Sequence, residues 1–229
     1  MLGKAVLWAG LVASAGSVDP AQAAERGQAQ AVLHGRPVVV DYGRVELKGR
    51  RIETLLAQLP EDRVWRAGAD EITTLTTDID LFVNPLRGAS CSRVRTPGKP
   101  KRIPAGRYSL YVSIPREGDW LLIFNADLGI ELGALGEFMG FAVPAAEAGR
   151  RWPHLQGYNL NIPAGVMGIA HMELARVPMQ PGRLEFPVDP FTISLEPSGT
   201  GALSLTLAWE HSSWSVELTA GEPATAAAR

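Results

Sequence analysis

Hydrophobic and polar positions alternate along most of this chain, and the alternation stops at glycine and proline. In residues 201–210, Leu203, Leu205, Leu207 and Trp209 interleave with Ser204, Thr206 and Ala208. That period of two gives an extended strand one dry face and one wet face. The same behaviour recurs in 185–197 and 212–220, and earlier in 36–47, 71–83 and 166–177. Residues 103–114 alternate after a Pro-Ala-Gly turn, with Tyr108, Leu110 and Val112 on one side. Residues 119–126 follow across Pro115-Arg116-Glu117-Gly118, so the two runs read as a hairpin.

Around eight short strands separated by turn signals predict a mainly β fold, an antiparallel β-sandwich or jelly-roll-like architecture. Helical spacing is confined to short stretches. Ile52, Leu55, Leu56 and Leu59 fall at helical intervals and the run stops at Pro60, which predicts one short helix within 50–62. A second helical turn is expected near 132–141, where three glycines weaken it.

The organisation that follows is one sandwich domain over 38–220, preceded by an extension at 24–37 and ended by a small, polar tail at 221–229. Two long insertions, about 84–101 and 129–163, are expected as loops decorating the domain. The second carries Phe138, Met139, Phe141, Trp152 and Tyr158 among glycines and prolines. A loop beyond about 15 residues usually has a function or is disordered, and this apolar content argues against disorder. It is expected either to fold back as a lid or to offer an apolar patch to a partner.

The first 23 residues change the picture of where the protein works. Lys4, an apolar run from Ala5 to about Ala15, and the triplet Ala21-Gln22-Ala23 have the layout of a secretory signal, with cleavage before Ala24. The run is shorter than the ~20 residues a spanning helix needs. A periplasmic or other extracytoplasmic location is therefore expected, with an uncleaved inner-membrane anchor as the alternative.

Composition narrows the function classes. With 46% hydrophobic and 20% charged residues the chain is ordinary for a folded protein. A net charge of -2 gives no basic footprint for nucleic acid. One local departure, 93–102, holds Arg93, Arg95, Lys99, Lys101 and Arg102 without an acid, which suits an anionic surface or an acidic partner. Cys91 is the single cysteine, so no intramolecular disulfide forms and a thiol-redox role lacks a resolving partner.

No recognised catalytic motif emerges. There is no Gly-x-Gly-x-x-Gly, P-loop, Gly-x-Ser-x-Gly, CxxC or HExxH. Asp70 and Glu71 are adjacent, so on a strand they face opposite ways and do not make a paired-carboxylate site. Asp78 and Asp80 share a face if the strand continues through them, an arrangement suited to a cation, and His171 with Glu173 has the same spacing. Trp65 reads first as a core plug, Arg66 as the partner of Asp70 or Glu71, and Gly68 as a backbone necessity.

Taken together, Tyr42-Gly43-Arg44, Lys48-Gly49-Arg50, the stretches 64–76, 103–111 and 119–125, and the late Phe-Thr-Ile-Ser-Leu-Glu-Pro and Leu-Thr-Leu-Ala-Trp-Glu resemble the bacterial DUF2911 family. The resemblance spans roughly 38–219 apart from the two insertions. It implies an exported, mostly β protein with no established activity, and it marks Tyr42, Arg44, Trp65, Arg66, Glu71 and Tyr108 as a candidate cluster. The chain departs from the family pattern in having Val45-Glu46 after Tyr-Gly-Arg and Asp70 where asparagine is common.

The expectation drawn from the sequence is a non-enzymatic protein that needs no cofactor or metal and works by protein contact, as an accessory subunit of a membrane-associated complex. Phe138, Met139, Phe141, Trp152, Tyr158, Arg93, Arg95, Lys99 and Lys101 would supply the contact surface. The rival is a ligand-binding or carbohydrate-processing sandwich with a groove lined by Trp65, Arg66, Glu71 and Tyr108.

Overall fold

The computed structural model describes residues 24–59, 63–69, 72–84, 86–87, 96–97, 99–126, 128 and 172–221. Two antiparallel sheets pack face to face, as the alternation predicts. The larger contains β1 (Arg26–Leu33), β2 (Arg36–Gly43), β3 (Val64–Trp65), β4 (Thr73–Thr77), β9 (Gly106–Ser113), β10 (Leu121–Asn125) and β11 (Glu173–Pro178). Its order is β1-β2-β4-β9-β10-β11, with β3 paired to β9 beyond the end of β4. The smaller sheet has β5 (Leu81–Val83), β8 (Lys101–Ile103), β12 (Gln180–Gly199) and β13 (Ala202–Ala220) in the order β12-β13-β5-β8. A separate pair, β6 (Leu86–Arg87) and β7 (Thr96–Pro97), lies inside the first insertion.

The core sits between the two layers and is made of the dry faces read from the sequence. Val38, Val40 and Tyr42 of β2, Tyr108, Leu110 and Val112 of β9, and Leu203, Leu205, Leu207 and Trp209 of β13 are all buried in one cluster. The β9–β10 hairpin has the expected pairing, with Leu110 opposite Phe124 and Val112 opposite Leu122. The short helix α1 (Ile52–Leu56) also forms where its spacing places it, burying Ile52 against the core. The expected second helical turn near 132–141 and the segments 1–23 and 222–229 lie outside the described residues.

Residues 24–37, set apart in the sequence as an extension, supply β1 and the turn into β2. His34 and Gly35 both have positive φ, at 49° and 74°. Two such residues between Leu33 and its partner Arg36 make the type I′ connection that matches strand twist.

Two readings of the strands need correction. The stretch 71–83 reads as one strand region, but β4 and β5 belong to different sheets. The chain crosses between layers at Asp78-Ile79-Asp80, where the Thr77 hydroxyl donates to the Ile79 carbonyl (2.7 Å) and accepts from the Ile79 N–H (3.2 Å). A hydroxyl that satisfies its own backbone two residues on replaces the ladder bonds a strand would need. Asp78 and Asp80 therefore do not continue a strand and do not form the cation pair. Asp80 instead accepts from the Arg102 guanidinium (2.7 Å) and the Ala105 N–H (2.9 Å), clamping the crossing to the Pro-Ala-Gly turn.

That clamp makes a pH prediction. The Ala105 N–H, followed by the hydrogen bond from Arg102, holds the Asp80 carboxyl below its ordinary value of 3.8. A depressed folded-state value contributes stability above the unfolded pKa and loses it as pH falls through the folded one. The difference in Tm between wild type and Asp80→Asn is expected at pH 6 and should close as pH drops below about 3.8. A difference that persists unchanged into strong acid refutes this role.

The second correction concerns the C-terminal third. Three alternating runs, 185–197, 201–210 and 212–220, become two long strands, β12 and β13, joined at Thr200-Gly201. Register shifts between Arg183 and Val188 and between Val188 and Thr192 accommodate the residues that read as breaks. β13 passes its apparent break with Glu210 at a φ of 52°.

Candidate functional site

The fold brings the two most distinctive sequence segments into direct contact. Tyr42-Gly43-Arg44 closes β2, and Arg66-Ala67-Gly68-Ala69 leaves β3 and folds across it. The Ala69 N–H donates to the Gly43 carbonyl (3.1 Å). The approach is so close that a Cβ at Gly43 would lie 2.0 Å from the Ala69 carbonyl oxygen. Below the crossing, the Thr73 hydroxyl donates to the Ala67 carbonyl (2.9 Å). A Cβ at Gly68 would meet that hydroxyl at 2.8 Å.

Ala67 is fully buried and has a φ of 55°. A left-handed backbone costs a non-glycine residue roughly 1 kcal/mol or more, so the surrounding contacts hold this loop in place.

The aromatic members of the candidate cluster face inward. Trp65 stacks on Trp209, with ring centroids 5.5 Å apart and planes 15° from parallel, and meets Phe191 edge-on at 4.9 Å. Tyr42 meets Phe191 edge-on at 5.9 Å. These four rings join both sheets, since Tyr42 and Trp65 come from the larger and Phe191 and Trp209 from the smaller. The indole N–H of Trp209 is buried there and has no hydrogen-bond acceptor among the described residues.

Of the charged members, Arg44 follows directly on β2 at this corner. The Arg44 N–H donates to the Glu25 carbonyl (2.8 Å), and the Arg44 guanidinium lies 3.6 Å from the Glu25 carboxylate. Arg26 of β1, opposite Gly43, pairs diagonally with Asp41 of β2, two positions along the strand. Arg66, which follows Trp65 in the chain, is buried. Asp70 and Glu71, its expected partners, lie outside the described residues.

Tyr108 is not part of this corner. On β9 it stands opposite Leu75, whereas Trp65 stands opposite Val112. Four residues of strand separate the two positions, roughly 13 Å. Its hydroxyl donates to the Pro104 carbonyl (2.7 Å), and burial, reinforced by the Asp80 charge, pushes its pKa up. The phenol is thus a neutral donor that pins the Pro-Ala-Gly turn.

Of the expected contact residues, Lys99 and Lys101 are exposed at the start of β8. Arg93, Arg95, Cys91, Phe138, Met139, Phe141, Trp152, Tyr158 and His171 lie outside the described residues. Glu173 makes an ion pair with Arg176 at 2.8 Å. Among the described residues, no group of three or more His, Cys, Asp or Glu side chains is placed to hold a metal.

Two features were not singled out from the sequence. One is a row across the outer face of the larger sheet, where Thr74, Ser109 and Asn125 stand side by side in register and are buried. The threonine-rich run 73–77 announced hydroxyls on that face, but not their burial.

The other is the outer stretch of β12 in the β12–β13 ribbon. Residues 180–187 of β12 are exposed or half-exposed throughout, whereas Phe191, Ile193 and Leu195 further along are buried. Opposite His211 the strand bulges by four residues, Leu184 to Pro187, and Phe186 on that bulge is 74% exposed. The signal was the spacing of Pro181, Pro187 and Pro190, since prolines in a strand mark an unpaired edge or a bulge.

Compared with known families, residues 24–87 match the model of a family described as a protein of unknown function, DUF2911. The resemblance read from the sequence holds over that stretch, which contains both contacting segments and ends at the first insertion. No curated protein and no solved structure matches the chain.

Proposed function

We propose that this chain is an exported β-sandwich protein that acts through contact with other proteins, as an accessory subunit of a membrane-associated complex, and not as an enzyme. The observation that carries this reading is the exposed outer stretch of β12, residues 180–187, with Phe186 on its bulge. Among the described residues Phe186 is the most exposed large hydrophobic side chain. On the β13 side this stretch is held to the sandwich by Trp214, which stacks on Trp120 with centroids 3.8 Å apart, so the surface left exposed is the outer edge of β12 and its bulge. A partner that covers it supplies the missing burial.

The chemistry of the contact follows from the edge. Pro181, Pro187 and Pro190 remove N–H donors from β12, which opposes addition of a further strand. Recognition then proceeds through side chains, with Phe186 as the aromatic anchor of the kind that dominates interface energetics. The signal-like residues 1–23 and the basic run ending in exposed Lys99 and Lys101 support a site of action at the outer face of a membrane. By contrast, Tyr42 and Trp65 support the core, and the Tyr108 hydroxyl is engaged by backbone.

The test is co-purification from native membranes in mild detergent. Wild-type protein is expected to migrate with a larger complex, and Phe186→Ser to migrate alone. Because Phe186 is exposed, its replacement should change folding stability by no more than about 0.5 kcal/mol. Recovery of the wild-type chain solely as a free monomer would overturn the proposal. Reproducible thermal stabilisation by a glycan, abolished by Glu71→Ala, would put the ligand-binding reading in its place.

A further inference from the structure

We draw no further inference here: the strongest candidate, the outer face of the larger sheet where Ser109, Tyr111, Ile123 and Asn125 are buried away from the inter-sheet core, carries nothing because nothing among the described residues shows what covers it.

Discussion

Phe191→Ala is expected to lower the free energy of unfolding by about 3–5 kcal/mol, the range for removing a buried phenylalanine. Phe191 is 1% exposed and meets Tyr42, Trp65 and Trp209 at centroid distances of 5.9, 4.9 and 5.6 Å. All three contacts are edge-to-face, an arrangement worth about 0.5–1.5 kcal/mol per pair beyond simple burial. The neighbours cannot close the cavity easily, because each belongs to a different strand and two belong to the opposite sheet. The Phe191 N–H also donates to the Val45 carbonyl (2.9 Å), so collapse of the backbone into the space would break a hydrogen bond between elements.

The measurement is urea denaturation followed by tryptophan fluorescence. The midpoint should fall while the slope with denaturant stays unchanged, as for a variant whose compactness is preserved. Phe191→Leu keeps most of the volume and loses the ring edges, so it should cost less. A loss below about 1 kcal/mol for the alanine variant would show that these rings do not join the two layers.

The same cluster shows where the sequence was legible. Trp65 reads as a core residue because a tryptophan entering a strand is more often buried than exposed, whereas Tyr42 stands out only through its resemblance motif. Their partners could not be chosen, since Phe191 and Trp209 lie in the last third of the chain and nothing local specifies which sheet faces which. Alternation gave the strands and the dry faces of β2, β9 and β13, because a period of two is a property of a single strand. It missed the crossing at Asp78-Ile79-Asp80 because the stretch 71–83 reads as one strand region. What ends β4 is the Thr77 hydroxyl turning onto Ile79, and what holds Asp80 comes from Arg102 and Ala105.

Prolines misled in the opposite direction. Pro181 lies ahead of the alternating run 185–197 and Pro197 at its end, so the pattern confines the strand to that run, whereas β12 extends over Gln180–Gly199. On an outer strand, however, a proline facing away from its neighbour forfeits no ladder bond, and a bulge absorbs the residues that fall out of register. β12 is such a strand, at the edge of the smaller sheet. The exposure of Phe186 was invisible for the same reason. Its position in an alternating run assigned it a face, and only the bulge lifts it away from the sandwich.

The contact at Gly43 lay wholly beyond the sequence, and it sets the second large expectation: Gly43→Ala should destabilise the fold by about 2–4 kcal/mol, from overpacking and a strained or lost hydrogen bond. A methyl group there would lie 2.0 Å from the Ala69 carbonyl oxygen and within 2.9 Å of the Ala69 carbonyl carbon and nitrogen. All three atoms are backbone, so no rotamer change relieves the clash. The Arg66–Ala69 loop must lift, which weakens the Ala69 N–H to Gly43 bond (3.1 Å) and the Thr73 hydroxyl bond to Ala67 (2.9 Å). Lifting also pulls on Trp65 at the end of β3, so tryptophan fluorescence should report the change in the folded state. Gly49→Ala is the control, because Gly49 has a φ of 75° but nothing within 4 Å of the added carbon. It should cost only the left-handed backbone term, about 1–2 kcal/mol, and leave the folded-state fluorescence unchanged. If Gly43→Ala proves no more damaging than Gly49→Ala, the two segments are not held together by this close crossing.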